Sequence, residues 1–125
     1  MLYLLYAEKD AAKINELIAA KRAALKIKRD AMKVTLMNGK AAFGQQVDQI
    51  NNQFLANFEQ ALVSRGLTAG TTEYDAAVDA YKAVLAGLKD AALLSYDARV
   101  DEIIAKIQMF HEKLLLKWVN PLYVL

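Results

Sequence analysis

From Tyr74 to Leu114 apolar side chains recur three or four residues apart without a break, through Val78, Tyr81, Leu85, Leu88, Ala92, Tyr96, Val100, Ile103, Ile107 and Phe110. That spacing draws one stripe along an α-helix, whereas a strand would turn alternate residues to opposite faces. The run begins after Thr72, which with Asp75 three residues later approximates a capping box. Glu73 and Asp75 also place negative charge where the helix dipole favours it. Asn120-Pro121 forbids continuation. The pattern therefore predicts a helix over about 72–119, roughly 70 Å long at 1.5 Å per residue, with Gly87 as its weak point. So long a helix needs the preceding chain to run back along it, or a core shared with neighbouring molecules.

The preceding chain has the same texture. Ile14, Leu17, Ile18, Ala24, Leu25, Ala31, Met32 and Leu36 share one helical face, which predicts a helix over about 4–37. Within it Lys21-Arg22-Ala23-Ala24-Leu25 returns seven residues later as Lys28-Arg29-Asp30-Ala31-Met32, so Ile18, Leu25 and Met32 read as one heptad position. Phe43, Val47, Ile50, Phe54, Phe58, Ala61 and Leu62 predict a second helix over about 40–63. Asn38-Gly39 and Gly44 lie near the junction, and glycine both weakens a helix interior and suits a helix end. A turn and an unbroken but kinked helix are both open there. The clear interruption is 64–71, with two Gly and three hydroxyl residues in eight positions.

Composition agrees with helix throughout. The chain holds 22 Ala, one Pro and no Cys in 125 residues, and Ala loses no side-chain entropy in a helix. The expectation is a single all-α domain over 1–125, either a long antiparallel helical hairpin or an elongated three-helix bundle with coiled-coil-like seams. Counting Gly but not Tyr, 69 of 125 residues are apolar, about 55% against a usual 45–50%. That is more sticky surface than a small domain needs.

The groups that carry chemistry are sparse. Without Cys there is no disulfide framework, thiolate nucleophile or Cys-ligated metal. His111 is the only imidazole, and Gln108 stands where a carboxylate-bridged di-metal bundle would need Glu three residues before it. Phosphate-binding glycine loops, dinucleotide fingerprints and zinc-protease motifs are missing, and neither Ser64 nor Ser95 sits in a nucleophile-elbow context. No enzymatic activity, cofactor or metal is expected. Met1–Tyr6 is apolar but uncharged and is followed at once by Glu8, Lys9 and Asp10, so a cleaved export signal is not expected. The apolar stretch 114–125 is interrupted and falls short of the ~20 residues a membrane span requires. The compartment is left open.

Two features point toward partners. Lys21, Arg22, Lys26, Lys28, Arg29, Lys33 and Lys40 form a basic ridge that could neutralise phosphates or pair with the acids of the third segment. Residues 1–40 carry a net charge of +5 and residues 41–125 a net of −3. The termini are unusually apolar, with Leu2, Tyr3, Leu5 and Tyr6 at one end and Trp118, Val119, Leu122, Tyr123 and Leu125 at the other. The texture of 74–110, rich in Ala, Tyr and Leu, resembles the helical arm of type III secretion needle subunits. The likeness covers under a third of the chain and carries no residue roles with it. The expected function is a non-enzymatic structural subunit whose seams and apolar ends pack against copies of itself or a larger structural protein, as in a virion, filament or secretion apparatus. The alternative is a nucleic-acid-associated or regulatory binding module using the basic ridge.

Overall fold

A computed structural model describes residues 11–119, and their regular structure is entirely helical. Three helices follow in order, α1 (Ala11–Asn38), α2 (Lys40–Ser64) and α3 (Thr72–Val119), with no strand among the described residues. The chain is all-α. The earliest turns expected of the first helix, residues 4–10, lie outside the described residues.

The junctions follow from local chemistry. Gly39, between α1 and α2, has φ −76° and ψ −11°, a right-handed helical conformation. Its carbonyl accepts the Phe43 N–H at 3.1 Å. The chain therefore passes from α1 to α2 with no connecting loop, and Gly44 and Gly87 both stand inside continuous helix. The end of α2 is a Schellman motif: Leu67 N–H returns to Leu62 O and Gly66 N–H to Val63 O, each at 3.0 Å. Gly66 adopts φ +91°, the left-handed conformation that costs a residue with a Cβ roughly 1–2 kcal/mol. At the start of α3 the cap is Thr71, one residue before the expected Thr72. Thr71 O accepts the Asp75 N–H at 2.9 Å, and its Oγ1 accepts the Tyr74 N–H at 3.4 Å while donating to Thr68 O at 2.7 Å. The hydroxyl that closes the preceding turn also caps the helix, which places Thr72 inside the first turn.

The residues group into two compact units. In the first, α1 pairs with the part of α3 beyond Arg99. Arg22 meets Glu112 and Lys33 meets Asp101, so eleven residues forward on α1 match eleven back on α3, and the segments are antiparallel. Leu25, Val100 and Leu115 are the buried apolar residues there. The second unit, Asn38–Ala98, is an αα-hairpin of α2 and the first part of α3. Lys40 meets Asp97 and Asp48 meets Lys89, again a matched antiparallel step. Leu62, Val78 and Leu85 are buried, and Phe58 stacks on Tyr81 at 4.2 Å and Phe43 on Tyr96 at 5.3 Å between ring centroids.

In each unit taken by itself the inward positions recur at eleven residues. Ile14, Leu25, Leu36, Val47 and Phe58 are all buried or half-buried, as are Tyr74, Leu85, Tyr96, Ile107 and Trp118. Eleven residues in three turns is ~3.67 per turn, closer to the free α-helix than the 3.5 of a heptad seam. The heptad reading of α1 is corrected accordingly. Met32 is exposed, and Arg29 takes the inward position. On α3 the spacing drifts in the same sense: Leu88, Ile103 and Phe110 are exposed, while Lys89, Ile104 and His111 turn inward. A stripe of ~3.67 residues per turn falls later in sequence at each turn than a heptad would place it.

Two glycine substitutions test the backbone account with opposite signs. Gly66→Ala should lower stability by about 1 kcal/mol because of its positive φ. Gly87→Ala, at an exposed helix-interior position with open space around a new Cβ, should raise it by about 0.5–1 kcal/mol. Urea or thermal unfolding of the two variants beside the parent measures both.

Candidate functional site

The ridge cations occupy quite different settings. In the first unit Arg22 grips Glu112 through two hydrogen bonds, Nε to Oε1 at 2.9 Å and Nη2 to Oε2 at 3.1 Å. Lys33 lies 3.1 Å from Asp101, and Lys26 pairs with Asp30 one turn along the same helix. Lys21 Nζ stands 5.4 Å from the centroid of the Trp118 ring, a cation–π distance. Lys28 is exposed, with no ion pair among the described residues. In the second unit Lys40 Nζ lies 2.9 Å from both carboxylate oxygens of Asp97 and donates its hydrogen bond to Oδ2. The cross-helix pairs are partly exposed and contribute about 0–1 kcal/mol each. Their stronger effect is on register, since a one-turn slip would break several at once.

Arg29 is the exception, being only 6% exposed. Its Nη1 lies 2.9 Å from His111 Nδ1. A guanidinium only donates, so Nδ1 must carry the lone pair and the imidazole proton sits on Nε2. His111 is held neutral: burial lowers its pKa from the ordinary 6.5, Arg29, Lys28 and Lys21 lower it further, and only Glu112 opposes them. The neighbouring Glu112 is held below the usual carboxylate range, first by the Arg22 hydrogen bond and then, against the opposing effect of burial, by the charges of Arg22 and Arg29. Beside this cluster lies an open groove of about 460 Å³ within the first unit, where Arg22, Lys26 and Arg29 are balanced in part by Asp30 and Glu112.

Sequence reasoning placed Arg29 on the solvated ridge; the signal it missed is the eleven-residue column Ile18, Arg29, Lys40, Asn51 and Leu62. The three polar members each have a partner on α3. Arg29 has His111, Lys40 has Asp97, and Asn51 donates from Nδ2 to Leu85 O at 3.2 Å.

Each unit has two unlike flanks. At 100° per residue Asp48 lies to one side of the Val47/Asn51 stripe, with Ile50 and Phe54 to the other. On α3, Lys89 and the pair Val84 and Leu88 are divided in the same way. Antiparallel packing brings like flanks together, so the second unit has an ion-paired flank opposite an apolar one of Ile50, Phe54, Val84 and Leu88, all exposed. The first unit repeats the scheme. Arg22–Glu112 and Lys33–Asp101 lie on one flank, and exposed Met32, Ile103 and Phe110 on the other. There Ala31, Met32, Thr35, Leu36 and Ile103 line a groove of about 380 Å³.

Of the apolar terminal residues singled out in the sequence, Trp118 is half-buried against Lys21, and Val119 is the last residue of α3. Leu2, Tyr3, Leu5, Tyr6, Leu122, Tyr123 and Leu125 lie outside the described residues. Among the described residues no three His, Asp or Glu side chains form a metal-binding group, and no helix is long and apolar enough to cross a membrane. No family model, curated protein or solved structure matches the chain.

Two predictions follow from the Arg29 cluster. Because His111 binds a proton less readily folded than unfolded, the unfolded state gains protons first as pH falls below 6.5, and stability declines from there toward the lower folded pKa. The parent should lose more melting temperature between pH 7.5 and 5.5 than His111→Gln, which keeps an acceptor for Arg29; equal losses would remove His111 as the cause. Glu112 acts in a separate window, its contribution present above pH 4.5 and lost as pH falls through its depressed folded value. Secondly, Arg29→Met should cost about 1 kcal/mol, since it keeps the apolar stem but leaves His111 Nδ1 without its donor. Arg29→Ala should cost about 2 kcal/mol or more by leaving a cavity. Denaturant midpoints distinguish the two.

Proposed function

We propose that the chain is a non-enzymatic structural subunit that packs through helical seams, exposed apolar flanks and apolar termini into a larger assembly, of the kind a virion, filament or secretion apparatus contains. The observation that carries this reading is the balance of burial. Among the described residues six apolar side chains are buried, and thirteen large ones are more than two-fifths exposed. Exposed apolar patches on this scale mark interaction surfaces, and symmetric self-association is the commonest way to cover them.

The alternative, phosphate recognition by the basic ridge, draws less support. Arg22, Lys26, Lys33 and Lys40 pair with carboxylates, and Arg29 is buried. Of the seven ridge residues, Lys28 is the one that stands exposed without a pair among the described residues.

Light scattering after size exclusion at low and high salt, with negative-stain images of the same fractions, tests the assembly. Regular particles that persist at high salt are expected, because apolar contacts are not screened; a stable monomer in both conditions would overturn the proposal. A phosphate-binding module would instead show nucleic-acid affinity that falls steeply with salt and drops on neutralising Arg22, Lys26 and Lys33.

A further inference from the structure

The two units carry opposite charge. Residues 11–37 and 99–119 hold eleven Lys or Arg against five acids, a net of +6, and residues 38–98 hold four against seven, a net of −3. Ion pairs within each unit cancel one for one and leave these totals unchanged. Among the described residues both units also present an exposed apolar flank, Met32, Ile103 and Phe110 on the cationic one and Ile50, Phe54 and Leu88 on the anionic one.

We infer that the occupant of each flank is a second copy of this chain, docked head to tail, so that the cationic unit of one copy covers the anionic unit of the next. This rests on the self-assembly reading above and specifies its contact. Like-to-like docking of cationic units would bring together exposed Lys28, Arg99 and Lys113, which by helical spacing rim the apolar flank. Docking of two anionic units would set a net −3 against a net −3. Only the unlike pairing joins apolar surface to apolar surface with attraction at long range. Because the two docking surfaces differ, two copies either exchange them reciprocally in a closed two-fold pair or pass the contact on from copy to copy into a ring or filament.

The absence of native cysteine makes the contact directly testable. Met32→Cys and Leu88→Cys are made as separate chains, carried on tags of different size, mixed, and treated with a short bis-maleimide. Since each chain has a single thiol, a 32–88 adduct joins two molecules. The expected result is a 32–88 adduct several-fold more abundant than 32–32 or 88–88. Predominant 32–32 or 88–88 adducts in a sample that light scattering shows to be oligomeric would overturn head-to-tail docking and leave self-assembly standing. A monomer with no adduct would overturn both. As a second readout, Lys28→Glu combined with Lys113→Glu, both exposed, should slow association at low salt by about tenfold and have little effect at high salt, in line with electrostatic steering. An unchanged association rate at low salt would count against the charge-directed contact.

Discussion

Burial between two antiparallel helical segments governs both units. Such a seam covers one stripe of each helix and is only one side chain deep, so even its best-covered residue, Leu115, is 2% exposed. Leu25, Leu62, Val78, Leu85 and Val100 make up the rest of the buried apolar set among the described residues. A compact domain adds a further layer to cover the flanks of such a pair. Among the described residues of each unit no such layer covers the flanks, and the exposed Phe54, Leu88, Ile103 and Phe110 are the direct result.

A thin apolar seam is also weakly specific, because a slip of one helical turn exchanges one apolar residue for another. Polar residues in the stripe remove that freedom. Arg29 needs His111, Lys40 needs Asp97, and Asn51 needs the Leu85 carbonyl, so a slipped register would bury donors without acceptors at about 1–3 kcal/mol each. The same logic explains why His111, the sole imidazole, is neutral and acts as an acceptor. Burial disfavours its charged form, the nearby Arg29, Lys28 and Lys21 add to that, and Arg29 offers only donors. Its titration is thereby linked to folding.

Much of the secondary structure was legible in the sequence. Uninterrupted three- and four-residue spacing, abundant Ala and a single Pro leave helix as the economical reading, and the hydroxyl- and glycine-rich stretch at 64–71 marks the reversal between α2 and α3. The turn chemistry was visible in kind but displaced by one residue, because Thr71 and Thr72 are both competent caps and the bond to Thr68 selects the first. The inward stripe was less legible. Leu88, Ile103 and Phe110 are as apolar as Ile104 and Leu115, and a hydrophobic pattern alone cannot distinguish a residue inside the seam from one on its flank. The buried Arg29 was hidden for the same reason, since a long cationic side chain ordinarily reaches solvent.

The sequence by itself determined that this chain is helical, where its helices give way to a loop, and that catalytic groups are scarce, because these depend on local propensity and residue inventory. Only the tertiary structure decided which side chains face inward, which cations are paired and which apolar residues are left on an open flank. Those depend on the pitch of the stripe and the register of the partner helix. A shift of one residue rotates a side chain by 100°, enough to move it from the seam to the surface.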